Sequence, residues 1–259
     1  MAQADDLQGQ DLESGHDHDE DTSGEPYVNE IEVRGLIVGA FQENCWVIGN
    51  RRTGEAICID PGEQADDIVH MASEMGVKIK MIANSHAHLD HVLGVRGVQS
   101  DDNATFLLHE ADLDILQGAA ESAARFGMQV EQPPDPDHYI EDEQNVEVDG
   151  VELQVIHTPG HTRGSVCFYG HGVLFSGDTL FRNSIGRTDL PGGDFNEEMS
   201  SIVDKLLMLP DETIVLPGHM DQTTLGAERV QNPFILQTLQ QRGLNPGERR
   251  SPGGLILPN

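Results

Sequence analysis

Positive charge is what this chain of 259 residues has least of: only three lysines occur, Lys78, Lys80 and Lys205. Arginine supplies the remainder of its 15 cations, against 45 carboxylates and a formal net charge of −30. Such a surface argues against nucleic acid or an anionic membrane as partner, because phosphate binding needs basic side chains. Cysteine is also scarce. Cys45, Cys58 and Cys167 are scattered, each within an apolar, strand-like run. An odd count without a spacing pattern argues against a disulfide framework and fits reduced core thiols in a cytoplasmic protein. No run approaches the ~20 apolar residues of a membrane span. No basic segment followed by an apolar one suggests a secretory signal.

What is present divides into three parts. Residues 1–26 hold nine carboxylates and no Lys or Arg, the composition of a disordered acidic tail. His16 and His18 fall inside it, where no scaffold would fix them as ligands. Residues 27–242 carry the ordered patterning, and residues 243–259 form a Gly- and Pro-rich C-terminal segment without a clear element.

Within the ordered part, Ile31–Val38, Asn44–Gly49 and Glu55–Asp60 read as successive strands, and Gln64–Met75 has helical spacing closed by Gly76. Lys78–Asn84 is a further strand, Ala104–His109 another, and Glu110–Phe126 a helix. Asp149-Gly150 and Gly170-His171-Gly172 each sit between apolar runs and predict hairpins. Asn196–Leu209 is amphipathic, Thr213–Leu216 is a last strand, and two short helices follow near 225–230 and 234–242. Strand-rich halves flanked by helices predict an α/β fold with two facing sheets and helices on the outer faces.

The chain is organised around Ser85-His86-Ala87-His88-Leu89-Asp90-His91. Three imidazoles and a carboxylate within six positions suit zinc, iron or manganese. The cluster follows a short buried strand and precedes a helical stretch from Val92, so it is expected on a strand-to-helix turn. Three more candidate ligands each follow a strand-like run. They are His161 after Pro159-Gly160, Asp178 after Ser176-Gly177, and His219 after Pro217-Gly218. Ligands at strand ends can converge on one rim, and the adjacent glycines permit close backbone approach. His157 is expected to pack or to support a ligand, and His70, His109, His138 and His171 to be structural or exposed.

These motifs resemble those of the metallo-β-lactamase superfamily, and within it the glyoxalase II-like hydrolases. The resemblance runs from about Ile31 to Phe234. It rests on His86-Ala87-His88-Leu89-Asp90-His91, Thr158-Pro159-Gly160-His161-Thr162, Ser176-Gly177-Asp178-Thr179-Leu180-Phe181, Pro217-Gly218-His219 and the loop Gly186-Arg187-Thr188-Asp189-Leu190-Pro191-Gly192-Gly193-Asp194. It implies an αββα sandwich holding two divalent metal ions, in the first place Zn2+, with Fe or Mn as alternatives. By position, His86, His88 and His161 would hold the first metal, Asp90, His91 and His219 the second, with Asp178 bridging. Departures are Ser85 where Thr is common, Arg163 where Pro is frequent, and Met220 where Gly is frequent.

The resemblance further implies hydrolysis of a thioester by a hydroxide shared between the metals, with Asp90 and Asp178 as catalytic residues and an S-acyl thiol as small-molecule substrate. A hydroxyacylglutathione-like substrate is the leading expectation. Arg182 and Arg187 are candidates for a substrate carboxylate, and Arg187 is equally a candidate for a structural pair with Asp189 or Asp194. The segment beyond His219 is short and does not map onto the helical region that supplies glutathione contacts in glyoxalase II. Three alternatives stay open. A persulfide dioxygenase-like enzyme would use one iron on His86, His161 and Asp178. A relative could cleave another ester, lactone, amide or phosphodiester, and a metal-binding protein without catalysis is the last.

Overall fold

The computed structural model describes residues 30–246, 249–250 and 256–257. The acidic segment 1–26 lies outside the described residues. Two six-stranded mixed sheets face each other. The first has the order β1 (Ile31–Val38), β2 (Glu43–Asn50), β3 (Glu55–Ile59), β4 (Lys78–Ala83), β5 (Thr105–Leu108) and β6 (His138–Tyr139). Its first three strands pair antiparallel and the rest parallel. Between them the chain forms α1 (Ala65–Met75), α2 (Leu89–Val92), α3 (Val95–Asp102), α4 (Leu113–Gln117) and α5 (Ala119–Arg125).

The second sheet is built from β7 (Asn145–Val148), β8 (Val151–His157), β9 (Val166–Gly170) and β10 (Val173–Gly177), in antiparallel succession. A small hairpin follows, β11 (Leu180–Phe181) and β12 (Ser184–Ile185), then α6 (Phe195–Ser200). β13 (Ile214–Pro217) enters the second sheet parallel to β10, and β14 (Thr223–Thr224) pairs antiparallel at its edge. Helices α7 (Leu225–Gln231) and α8 (Pro233–Gln241) complete the outer layer.

Period-2 alternation decides which layer each side chain joins. On β3, Ala56 and Cys58 face the helices of the first half, while Ile57 and Ile59 face the opposite sheet. On β9 and β10, Phe168 and Phe175 point between the sheets, whereas Cys167 and Leu174 meet the helices of the second half. Each such apolar side chain, fully buried, contributes about 1.5–3 kcal/mol. The result is a helix–sheet–sheet–helix sandwich, as the strand pattern predicts. All three cysteines are buried and unbridged.

Four local expectations need correction. The helix after the His cluster begins at Leu89, so Asp90 and His91 stand on its first turn. The stretch 110–126 is a 3-10 turn followed by two helices parted at Gly118. The stretch 196–209 is α-helical only at its start, then passes through a π-helical turn and a 3-10 turn. Beyond Gly243, two-residue strands at Arg249–Arg250 and Ile256–Leu257 pair, where no element was expected.

Candidate metal centre

Every candidate ligand lies at or just beyond the end of a strand. His86 and His88 occupy the loop after β4, Asp90 and His91 open α2, and Asp178 and His219 follow β10 and β13. His161 lies in the turn between β8 and β9. The two sheets bring these ends to one rim.

There the donor atoms form two groups. His161 Nε2 is 3.3 Å from His86 Nε2 and 2.9 Å from His88 Nδ1. His219 Nε2 is 3.2 Å from Asp90 Oδ2, and His91 Nε2 is 3.9 Å from the same oxygen. Asp178 touches both groups. Its Oδ2 is 3.7 Å from His161 Nε2 and 3.7 Å from His219 Nε2, and its Oδ1 is 3.5 Å from His91 Nε2.

These side chains fit a pair of divalent ions. Donors about 2.0–2.2 Å from a tetrahedral ion stand roughly 3.4 Å apart, close to the spacings seen in each group. His91 Nε2 and Asp178 Oδ1 are buried without a hydrogen-bond partner, an arrangement that normally costs about 1–3 kcal/mol per group and that a ligated ion removes. A Cβ on Gly218 would lie 2.5 Å from Asp178 Oδ1 and 2.7 Å from His91 Cε1, so only glycine leaves room for the converging ligands.

Supporting groups fix the rings. His161 Nδ1 donates to the Arg187 carbonyl at 2.8 Å, which leaves Nε2 free to face the cluster. His91 Nδ1 is 3.1 Å from Asp60 Oδ2. Asp60 also accepts from the Ser85 backbone N–H (2.7 Å) and hydroxyl (2.6 Å), and that hydroxyl lies 3.0 Å from His86 Nδ1. Asp112 accepts from the Ala87 N–H, the Thr162 hydroxyl and the Gly164 N–H at 3.0, 2.8 and 2.7 Å. It thereby ties the loop of His86 and His88 to the loop of His161.

The two groups differ in charge. Burial holds the His86 and His88 imidazolium forms down, His88 to about 3, with neighbouring imidazoles adding to the effect. Both rings are therefore neutral donors. Burial also disfavours charge on His91 and His219, but Asp178, Asp60 and Asp90 around His91, and Asp90 and Asp178 around His219, outweigh it and raise both. Burial pushes the Asp90 carboxyl up, and His91 and His219 overcome that to hold it well below the usual range.

Both arginines considered for a substrate carboxylate make exposed ion pairs, and that of Arg187 is the structural pair with Asp189 expected as its other role. Arg187 forks onto Asp189 at 2.8 and 3.0 Å, and Arg182 reaches Asp221 at 3.3 Å. Arg187 meets the centre through its carbonyl. Asp194 instead caps α6. His157 stacks on His109 with ring centroids 4.3 Å apart and lies outside both donor groups. Sequence reasoning passed over Asp60, Asp112, Glu43 and Glu198. Asp60 carried a signal in its place between an apolar strand and Pro61-Gly62, and the structure gives it a left-handed φ of 52° just past β3. Glu43 and Glu198 are buried with both carboxylate oxygens unpartnered, and burial raises both carboxyls.

Comparisons with known proteins agree with this fold. The family model for the metallo-beta-lactamase superfamily matches residues 38–219. Hydroxyacylglutathione hydrolase GloC of Haemophilus influenzae is 37% identical over 209 residues, covering 79% of this chain and 98% of that protein. Among solved structures, BLEG-1 B3 metallo-beta-lactamase is 36% identical with a TM-score of 0.74, covering 79% of this chain and 99% of the other. TTHA1623 in a di-iron-bound form is 36% identical with a TM-score of 0.70, covering 78% and 99%. With the ligand constellation, the four-layer sandwich and a family match across most of its ordered length, the chain belongs to the metallo-beta-lactamase superfamily and is a metallo-hydrolase by that membership.

Proposed function

We propose that the protein hydrolyses thioesters of the hydroxyacylglutathione type at a two-metal centre. The observation that carries this reading is Asp178, whose two carboxylate oxygens reach ligands of both groups. The likeness to a relative named hydroxyacylglutathione hydrolase supports the substrate class. His86, His88 and His161 would hold one ion, Asp90, His91 and His219 the other, and Asp178 would hold both. Zinc is the leading candidate, and the di-iron form of a relative keeps iron in view.

Bound between the groups, the ions would lower the pKa of a shared water toward neutrality and polarise the substrate carbonyl. The protein's own groups do the rest. Asp90 stays ionised beside His219 and is partly exposed, so its carboxylate is placed to orient the attacking water. Asp178 fixes the spacing of the two groups. Asp60 and the Arg187 carbonyl hold His91 and His161 in the ring orientation that presents Nε2 to the cleft. A thiolate leaves without a strong general acid, because its conjugate thiol has a pKa of roughly 8.5.

Metal analysis paired with a panel of S-acyl thiols, S-lactoylglutathione among them, tests the proposal. Two metals per chain with thioester turnover are expected. One iron with oxygen uptake would overturn it in favour of a dioxygenase. A second reading, β-lactam hydrolysis, is favoured by the likeness to BLEG-1, and a β-lactam in the same panel separates the two.

A further inference from the structure

The β1–β2 hairpin meets the segment after β13 beside His219. The Asn44 backbone N–H donates to the Gly218 carbonyl at 2.7 Å. The Asn44 side-chain amide donates to the Pro217 and Met220 carbonyls at 3.1 and 2.9 Å. Ile37 is the residue paired with Asn44 across the antiparallel ladder. Directly paired residues put their side chains on the same face of a sheet, so Ile37 stands on the face from which Asn44 reaches Met220.

Both apolar side chains flanking this buried amide lie open to solvent, Ile37 at 63% and Met220 at 59%. Met220 also holds a φ of +69° immediately after a candidate metal ligand. That conformation is free for glycine and costs a residue with a Cβ about 1–2 kcal/mol. A large apolar side chain kept there gains neither burial nor backbone ease, which is the signature of strain retained for a function of the site. Phe181 continues the apolar lining, its ring centroid 6.3 Å from that of His219. At the hairpin tip Phe41 packs edge-on against Phe126 at 5.2 Å, which steadies the turn that joins the strands of Ile37 and Asn44.

We propose that Ile37 and Met220 form an apolar lip on the His219 side of the cleft, a specificity-determining pair that receives the alkyl or aryl arm of an S-acyl thiol. This deepens the thioester reading and rests on it for the substrate, while the lip can be measured without turnover. Methionine suits such a surface, since its flexible and polarizable thioether adapts to arms of different shape.

The experiment uses the metal-loaded full chain and an n-alkanethiol series from ethanethiol to hexanethiol. Ethanethiol, the shortest arm of the series, is the reference in each variant. In the parent protein Kd should fall about two- to fourfold per added methylene. Met220→Gly relieves the left-handed strain, so its Tm should hold or rise, and the gain per methylene should drop below about 1.5-fold. Ile37→Ser should flatten the series as well. An equal gain per methylene in all three proteins overturns the lip. If the series is steep in the parent and flat in the variants while no S-acyl thiol is cleaved, the lip stands and the thioester reading falls. A concentration-dependent dimer lost in Met220→Gly, with an unchanged thiol series, overturns the lip and assigns the patch to self-association.

Discussion

Asp60 Oδ2 lies 3.1 Å from His91 Nδ1 and, through the Ser85 hydroxyl at 2.6 Å, is one step from His86. A single buried carboxylate thus steadies a ligand in each donor group. Asp60→Asn keeps a carbonyl oxygen for the Ser85 N–H but offers His91 an amide in place of an acceptor, or the reverse. The expected outcome is a 10- to 100-fold loss of affinity, larger for the Asp90, His91 and His219 group than for the other. Chelator competition measures it, and unchanged affinity at both positions would refute the role given to Asp60.

The charge contrast between the two groups predicts a contrast in proton release. Burial holds the His86 and His88 imidazolium forms down, so metal entering their group displaces no proton from these two rings near pH 7. His91 and His219 have raised pKa values and must lose protons to become ligands. Calorimetry in two buffers of different ionisation enthalpy should show that one metal equivalent releases more protons than the other. His219→Asn should shrink that difference. The same raised values mean that these two groups stabilise the metal-free fold below about pH 6.5, an effect lost as pH rises through their folded-state pKa. Equal proton release for both equivalents would count against the charge assignment.

All seven candidate ligands, which the fold brings together in two donor groups, were legible because their chemistry is local. His86-Ala87-His88-Leu89-Asp90-His91 presents four donors in six positions, and His161, Asp178 and His219 each follow a strand and a glycine. The αββα layering was legible from alternation, since Ile57 and Cys58 must face opposite sides of β3. What supports the ligands was not. Asp112 joins Ala87 to Thr162 and Gly164 across long sequence separations, and nothing near it in the chain marks it. The break at Gly118 and the π-helical turn at Ser201–Lys205 were missed because apolar spacing alone does not register a change of helical pitch. The Arg187–Asp189 pair was legible from its two-residue spacing, whereas Asp221 as the partner of Arg182 depends on loop conformation 39 residues away.

Asp112 should matter more for folding than for chemistry. It is buried and accepts three hydrogen bonds from the loops of His86 and His161. Asp112→Ala leaves the Ala87 and Gly164 N–H groups without an acceptor, at about 1–3 kcal/mol each, while the Thr162 hydroxyl keeps Ser165, so a total loss of about 2 kcal/mol or more is expected. Urea unfolding of the metal-free protein checks this. A loss below about 1 kcal/mol would show that the two loops hold together by other means.

Two glycines allow the two donor groups to be disturbed separately. A Cβ on Gly62 would run into the Asp90 carbonyl, and one on Gly186 would run into the Asp178 carbonyl. Neither glycine has the left-handed φ that would by itself require glycine, so close approach is the constraint at both. Asp90 contacts only the group that includes His91 and His219, whereas Asp178 contacts both groups. Gly62→Ala should therefore displace Asp90 and weaken one metal, leaving a chain that binds about one equivalent tightly. Gly186→Ala should move the shared ligand and weaken both. Metal stoichiometry after dialysis against a weak chelator distinguishes the cases. The same stoichiometry in the two variants would show that Asp178 does not couple the groups, and the two-metal reading built on it would fall with that result.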